Sequence, residues 1–428
     1  MSQAIADTHA ASGTARALPP VRGAWLGLVV LTLVNLFNYL DRFVVAALGE
    51  SLRTSDLHLS DAQFGQLASV FIIVYMVAAP VIGARADRGS RPRLLALGVA
   101  IWSVATALGG LATSFGSLLA ARAVVGVGEA AYGTIAPALL ADYFPARLRG
   151  RVFAVFYMAT PVGSALGYVV GGLVDHRYGW RSAFFVAGIP GLLLALLSLW
   201  LADPPRGARD EADDHAAVPA ARGMGAYRVL ARIRQYRLTI LGYAAYTFAL
   251  GGIAFWMPTF LERVRGLPRE QASVQLGAVV VITGFVGTFV GGWLGDFLLA
   301  RTRQAYLWVS GLATLAAAPL AYLALVSPDR AVYWPALIAA EVLIFMSTGP
   351  INSAIVSEVP AAMRASAMAL SIFVIHVLGD VPSPWLIGKI SDASSLGRAV
   401  LLIPAAVLVG ALVWTWAALR PDSEPRRA

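Results

Sequence analysis

Residues 121–145 read ARAVVGVGEAAYGTIAPALLADYFP. At about 20 residues per crossing, the run is long and apolar enough to span a bilayer as one helix. It nevertheless holds Arg122 near one end and Glu129 near its middle. A charge at that depth costs roughly 2.5–3.5 kcal/mol on insertion scales, so such a group faces a protein interior or a watery cavity rather than lipid. Gly126, Gly128, Ala130 and Ala131 surround Glu129, and small residues let neighbouring helices come close.

The rest of the chain agrees with a membrane reading. Of 428 residues, 58% are hydrophobic and 13% charged, and mean hydropathy is +0.70. A soluble chain carries about 25% charged residues. The net charge of +9 does not point to nucleic acid, because the arginines sit in short connections between apolar runs, the positive-inside pattern. Cysteine is absent, which excludes disulfides, thiolate metal sites and cysteine nucleophiles. No Walker lysine motif is present, so no ATPase is expected, and no cofactor is implied. Residues 1–20 lack an apolar core and do not read as a cleavable signal peptide.

Twelve spans are predicted, at about residues 25–48, 62–82, 94–113, 121–145, 152–174, 183–201, 238–261, 272–299, 305–325, 331–356, 365–390 and 400–419. The expected organisation is a disordered tail (1–21), a first six-helix bundle (22–202), a linker (203–235), a second six-helix bundle (236–419) and a short tail (420–428). Residues 225–237 are basic and amphipathic and are expected to lie at the membrane interface. An even number of spans puts both termini on one side. Connections on that side carry Arg88, Arg91, Arg93, Arg147, Arg149, Arg151, Arg301, Arg303 and Arg364, which assigns the termini to the cytoplasm.

Two patterns recur at matching places. Pro145-x-x-x-Arg149-Gly150 opens the fifth span and Pro360-x-x-x-Arg364-Ala365 the eleventh. Gly83-x-x-x-Asp87 closes the second and Gly292-x-x-x-Asp296 the eighth. Their shared order argues for duplication: an all-α polytopic protein of two pseudo-symmetric six-helix halves, the architecture of transporters that bind substrate between halves near the midplane.

At these residues the chain resembles the major facilitator superfamily. Gly83-x-x-x-Asp87-Arg88-x-Ser90-Arg91 is similar to its loop motif between helices two and three, with Ser90 where the family has glycine. Arg122-x-x-x-Gly126-x-Gly128 is similar to its fourth-helix motif. Within the superfamily, Asn38-Tyr39-Leu40-Asp41-Arg42-Phe43, Gly126 to Pro137, Phe156 to Tyr168, and His376 to Pro384 resemble the first, fourth, fifth and eleventh helices of the Spinster family. The resemblance implies a secondary transporter with a lysophospholipid-like or sphingolipid-like cargo, and the simple loops suggest a bacterial member of the inner membrane. Protons are the expected coupling ion, the lipid bilayer the expected surroundings and a monomer the expected state. Small organic anions or drugs are the alternative cargo.

Asp41 and Arg42 are adjacent, so on a helix they point about 100° apart and cannot simply pair with each other. Helices one and four are neighbours in the superfamily, so Arg42 is expected to pair with Glu129, with Asp41 as a second titratable site. Burial favours a neutral acid and a nearby guanidinium favours the carboxylate, so two readings stand: a proton relay, or a static ion pair that fixes packing. Arg122 reads either as an anion-binding or pairing group, or as an arginine that snorkels to the interface. Asp87, Arg88 and Arg91 are expected to form a latch, with Asp87 at the N-terminus of helix eleven; the alternative is a purely topogenic basic loop. His376 and Asp380, four apart on one face, read as a satisfied polar pair, a gate or second proton site, or an acyltransferase or metal dyad. Gly379, Pro382 and Pro384 imply local unwinding there. Tyr39, Phe43, Tyr132 and Tyr157 are candidates to line an amphipathic pocket, with lipid-facing or core positions as the alternative.

Overall fold

A computed structural model describes residues 19–206, 224–359 and 363–420. Most of the expected tails and about half of the expected linker therefore lie outside the described residues. Among those residues all regular structure is helical, and twelve helices are long and apolar enough to cross a membrane. They are α1 (Ala24–Ala47), α2 (Asp61–Ala86), α3 (Arg91–Gly109), α4 (Phe115–Tyr143), α5 (Arg151–Tyr178), α6 (Trp180–Ser198), α7 (Arg234–Arg263), α8 (Arg269–Leu299), α9 (Ala305–Val326), α10 (Arg330–Ile355), α11 (Ser366–Ala393) and α12 (Leu396–Leu419).

Local chemistry sets several boundaries. A reciprocal cap between Ser60 and Gln63 starts α2, and one between Ser114 and Ser117 starts α4. The second cap places the start of α4 six residues before the expected 121. A positive φ of 81° at Gly179 lets the chain reverse between α5 and α6 within one residue. The amphipathic segment also differs from expectation. Met224–Leu230 forms a short separate helix, whereas residues 234–237 belong to α7, where Gln235 and Tyr236 are buried. The apolar face of that turn packs into the bundle rather than onto an interface.

The two halves repeat one pattern of neighbours. In the first, α1 packs on α5, α2 on α4 and α3 on α6; in the second, α7 packs on α11, α8 on α10 and α9 on α12. Close approach requires small residues at the charged helix. A Cβ on Gly126 would collide with the backbone of α2 at Phe71, and one on Gly128 with the backbone of α3 at Gly98 and Trp102. Glu129 therefore emerges from a helix squeezed between two others.

The halves meet through α2–α11, α5–α8 and α1–α7. Contacts between them concentrate at the end of the bundle remote from the termini. There, Asp392 at the end of α11 accepts the Asp61 and Ala62 backbone N–H groups at the start of α2, both at 2.9 Å. Ser391 donates to Asp61, and a Cβ on Gly65 would strike the Pro384 carbonyl.

Candidate functional site

Between the halves lies a cavity of about 420 Å³. Its walls are largely apolar and aromatic, from Phe43, Phe71, Tyr75, Phe156 and Phe255. Polar groups interrupt them at Asn38, Tyr39, Arg42, Arg122, Tyr132, Tyr157, His376 and Asp380. All six residues predicted to bind substrate thus line one space, and Tyr157 remains 53% exposed there.

Asp41 and Arg42 diverge from α1 as helical geometry requires. Arg42 Nε donates to Glu129 Oε2 of α4 at 2.7 Å. The guanidinium is 27% exposed toward the cavity, whereas Glu129 is fully buried behind it. Asp41 turns the other way, accepting from Thr106 of α3 at 3.0 Å and from Arg122 Nη1 of α4 at 3.5 Å. Two acids and two guanidiniums therefore form a compact group held by α1, α3 and α4. Phe71 of α2 contacts both cations, its ring centroid 4.9 Å from the Arg42 guanidinium carbon and 5.2 Å from that of Arg122. Tyr39 and Tyr75 complete an aromatic cage around Arg42. Glu129 Oε1 and Arg122 Nε have no hydrogen-bond partner among the described residues, so the group keeps spare bonding capacity.

Arg122 does not snorkel. It is 3% exposed and turned inward, because Asp41 and the Phe71 face offer it a paired and desolvated seat.

On the opposite wall, His376 Nδ1 lies 2.8 Å from Asp380 Oδ1. The helix does not unwind there. Residues 376–380 form a single π turn, closed by Val381 N–H to the His376 carbonyl at 3.1 Å, and Pro382 starts the next α-helical segment. The wider turn keeps the backbone bonded while accommodating the prolines.

The expected latch residues separate. Asp87 and Arg88 are exposed at the end holding the termini, with no side-chain hydrogen bond among the described residues. The expected partner of Asp87 is the start of α11, and residues 360–362, which lead into it, lie outside the described residues. Among the described residues Arg91 makes its contacts within the first half rather than across the halves. It is 3% exposed, pairs with Asp142 at the end of α4, and donates to Asp203 at 2.8 Å and to the Pro204 carbonyl at 2.6 Å. It braces the first half internally, because burial at the start of α3 demands compensation from both acids.

Reading the chain by motif missed the far-end lock. Arg263 donates to Glu50 at 2.7 Å and forks onto both Asp61 oxygens at 2.6 and 3.0 Å. Arg269 bridges Glu262 at 3.0 Å and Asp175 at 2.7 Å. Burial works to raise the Glu50 carboxyl, but hydrogen bonds from Arg53 and Arg263 hold it below the ordinary glutamate value. The balance of Glu262 and Glu270 against Arg263, Arg265 and Arg269 was the available signal, though it reads equally well as a neutral loop.

The model of the Major Facilitator Superfamily matches residues 31–384. Protein spinster of Drosophila melanogaster is 33% identical over 382 residues, covering 87% of this chain and 62% of that protein, so the chain spans under two thirds of its length. Protein spinster homolog 1 of Homo sapiens is 35% identical over 394 residues, covering 88% of this chain and 74% of that one. Among solved structures, a bacterial homolog to the human lysosomal transporter Spinster, in an inward-facing and unoccupied conformation, superposes with a TM-score of 0.83. Identity there is 23%, over 92% of this chain and 97% of that one.

Proposed function

The chain belongs to the Spinster family of the major facilitator superfamily, and from that membership we propose that it moves an amphipathic, lipid-like molecule across the membrane by alternating access, coupled to protons. As a multi-pass transporter it is not an enzyme. The observation that carries the reading is the Arg42–Glu129 pair, which has one member in the cavity and the other behind its wall.

An anionic headgroup entering the cavity meets Arg42 within its aromatic cage. Headgroup and Glu129 then compete for one guanidinium. A proton on Glu129 ends the competition, because the neutral acid no longer needs the cation. Release of cargo and proton restores the pair. Apolar walls accept the start of an acyl chain, and Tyr157 and the other aromatic rings give it a boundary. The far-end lock closes one exit, and with both termini in the cytoplasm this is an inward-facing state. In the opposite state the lock parts and Asp87 engages α11. We place the protein, as a monomer, in a bacterial inner membrane.

A volume of about 420 Å³ would also be filled outright by a small organic anion, which favours that cargo as the second reading. Proteoliposome flux separates the two. Wild-type protein should accumulate lysophospholipid faster under a pH gradient, and Glu129→Gln and Asp41→Asn should each lose the gradient-driven part. Full gradient-driven flux in both variants sinks proton coupling through this group. Transport of organic acids with no lysophospholipid flux moves the cargo to the second reading.

A further inference from the structure

Among the buried acids that the cycle above leaves unused, one lies deep in the second half. Glu341 stands in α10, the counterpart of α4 in the second half, and is 2% exposed. Its Oε2 lies 2.9 Å from Thr283 Oγ1 of α8. The same Thr283 oxygen lies 2.7 Å from the Val279 carbonyl of its own helix. A threonine hydroxyl has one hydrogen, and a carbonyl only accepts. If that hydrogen goes to Val279, the hydrogen shared with Glu341 must come from the carboxyl. A neutral acid satisfies both short contacts, whereas a carboxylate satisfies only one.

The surroundings agree. No charged residue occurs in the stretches facing α10 from α7 (238–261), α8 (276–290) and α9 (309–321), nor in residues 156–174 of α5. The ionisable neighbours are phenols. Tyr168 of α5 is fully buried, and its hydroxyl donates to the Ala254 carbonyl. Tyr246 of α7 donates to the Ile344 carbonyl at 3.0 Å, one turn along α10. Glu341 Oε1 is buried with no partner among the described residues. An ionised carboxylate here would be a buried charge without a counter-ion, the arrangement proteins avoid most strongly.

We infer that Glu341 is a further proton-binding site of this transporter, separate from the Asp41–Glu129 group and held as the neutral acid that donates to Thr283. Along α8 from Thr283 toward the far end, α5 and α8 close on each other, where Gly277 abuts Ala165 and Gly172 abuts Ser273. That seam belongs to the far-end seal. Glu341 therefore exchanges its proton with the far side only when the seal opens, a clause that rests on the alternating reading above.

Infrared spectroscopy tests the protonation without transport. In purified Asp41→Asn/Glu129→Gln protein at neutral pH, a carbonyl band of a neutral, slowly deuterating carboxylic acid should be present. Adding Glu341→Gln should abolish it, and adding Thr283→Val instead should shift it to higher frequency as its hydrogen bond is lost. A spectrum unchanged by Glu341→Gln overturns the site. The exchange clause has its own readout. In proteoliposomes Glu341→Gln should lower the proton-to-substrate ratio by one while substrate flux persists. An unchanged ratio with the band present overturns that clause alone, and absence of any lysophospholipid flux in wild type bears only on the cargo.

Discussion

The two halves share a fold and differ in how they carry charge. Behind the cavity the first half holds two acids and two arginines, balanced within four side chains and pressed against Phe71. In the second half the counterpart helix holds an acid with no cationic partner among the described residues, and the cavity wall carries a histidine–aspartate pair on a π turn. The same six-helix scaffold therefore tolerates a buried carboxyl in two ways, by pairing it or by keeping it neutral. Pairing makes the group sensitive to anything that competes for the arginine. Neutrality makes it sensitive only to water.

The sharpest way to break this contrast is Arg42→Ala. It leaves Glu129 buried and unpaired, a loss expected to cost about 3–5 kcal/mol. Thermal unfolding in detergent should show a large fall in midpoint, and substrate flux should vanish. Arg42→Ala/Glu129→Ala should recover most of the midpoint but no flux. A single variant that melts like wild type would mean the first half does not depend on pairing.

A middle-sized effect is expected at the far-end lock, which joins the halves rather than belonging to either. Arg263→Gln removes the fork onto Asp61 and the bond to Glu50. Distances between spin labels on cysteines introduced at that end should broaden toward an open population, in a chain with no native cysteine to interfere. Acidity should act on the same lock with a defined sign. Because the Glu50 carboxyl is held below its ordinary value, its contribution is complete above the ordinary glutamate range and is lost as pH falls through the native value. The label distances should therefore stay short from neutral to mildly acidic pH and lengthen only in stronger acid. Lengthening that begins near neutrality would assign the response to another group.

The smallest effect belongs to Asp56→Asn. Asp56 and Arg181 form a bidentate pair at 3.0 and 2.9 Å within the first half, but both side chains are exposed. Neither melting midpoint nor flux should move measurably. A clear loss would show that pairing matters at the surface of this half as well as inside it.

Much of this was legible in the chain. Hydropathy located the twelve spans, and the small residues around Glu129 announced a close helix crossing. The 100° between successive side chains was enough to send Asp41 and Arg42 to different partners. The seat of Arg122 was not legible, because it depends on Phe71 and Asp41 arriving from two other helices. Arg91 read as a loop cation because its two acids lie 51 and 112 residues away in sequence. The lock escaped for the same reason: Asp61 and Asp392 are separated by 331 residues, and nothing local marks them as partners. The prolines after Asp380 signalled a disturbed helix correctly, but whether a disturbed helix unwinds or widens is decided by what packs against it.

Helix α2 links two of these features. At one end it carries Asp61, clasped by Asp392 and Arg263, and three turns on it carries Phe71. A displacement of α2 at the far end would also move the ring relative to the two guanidiniums. Such a ring would act as a dielectric shutter. With it in place the ion pairs sit in a poorly polarisable medium, where a contact at 4 Å is worth on the order of 4 kcal/mol; with water in its stead the same contact falls to about 1 kcal/mol. The far-end contacts and the ion pairs thus both involve one helix, and water in place of one phenyl ring would weaken the hold of each acid on its arginine.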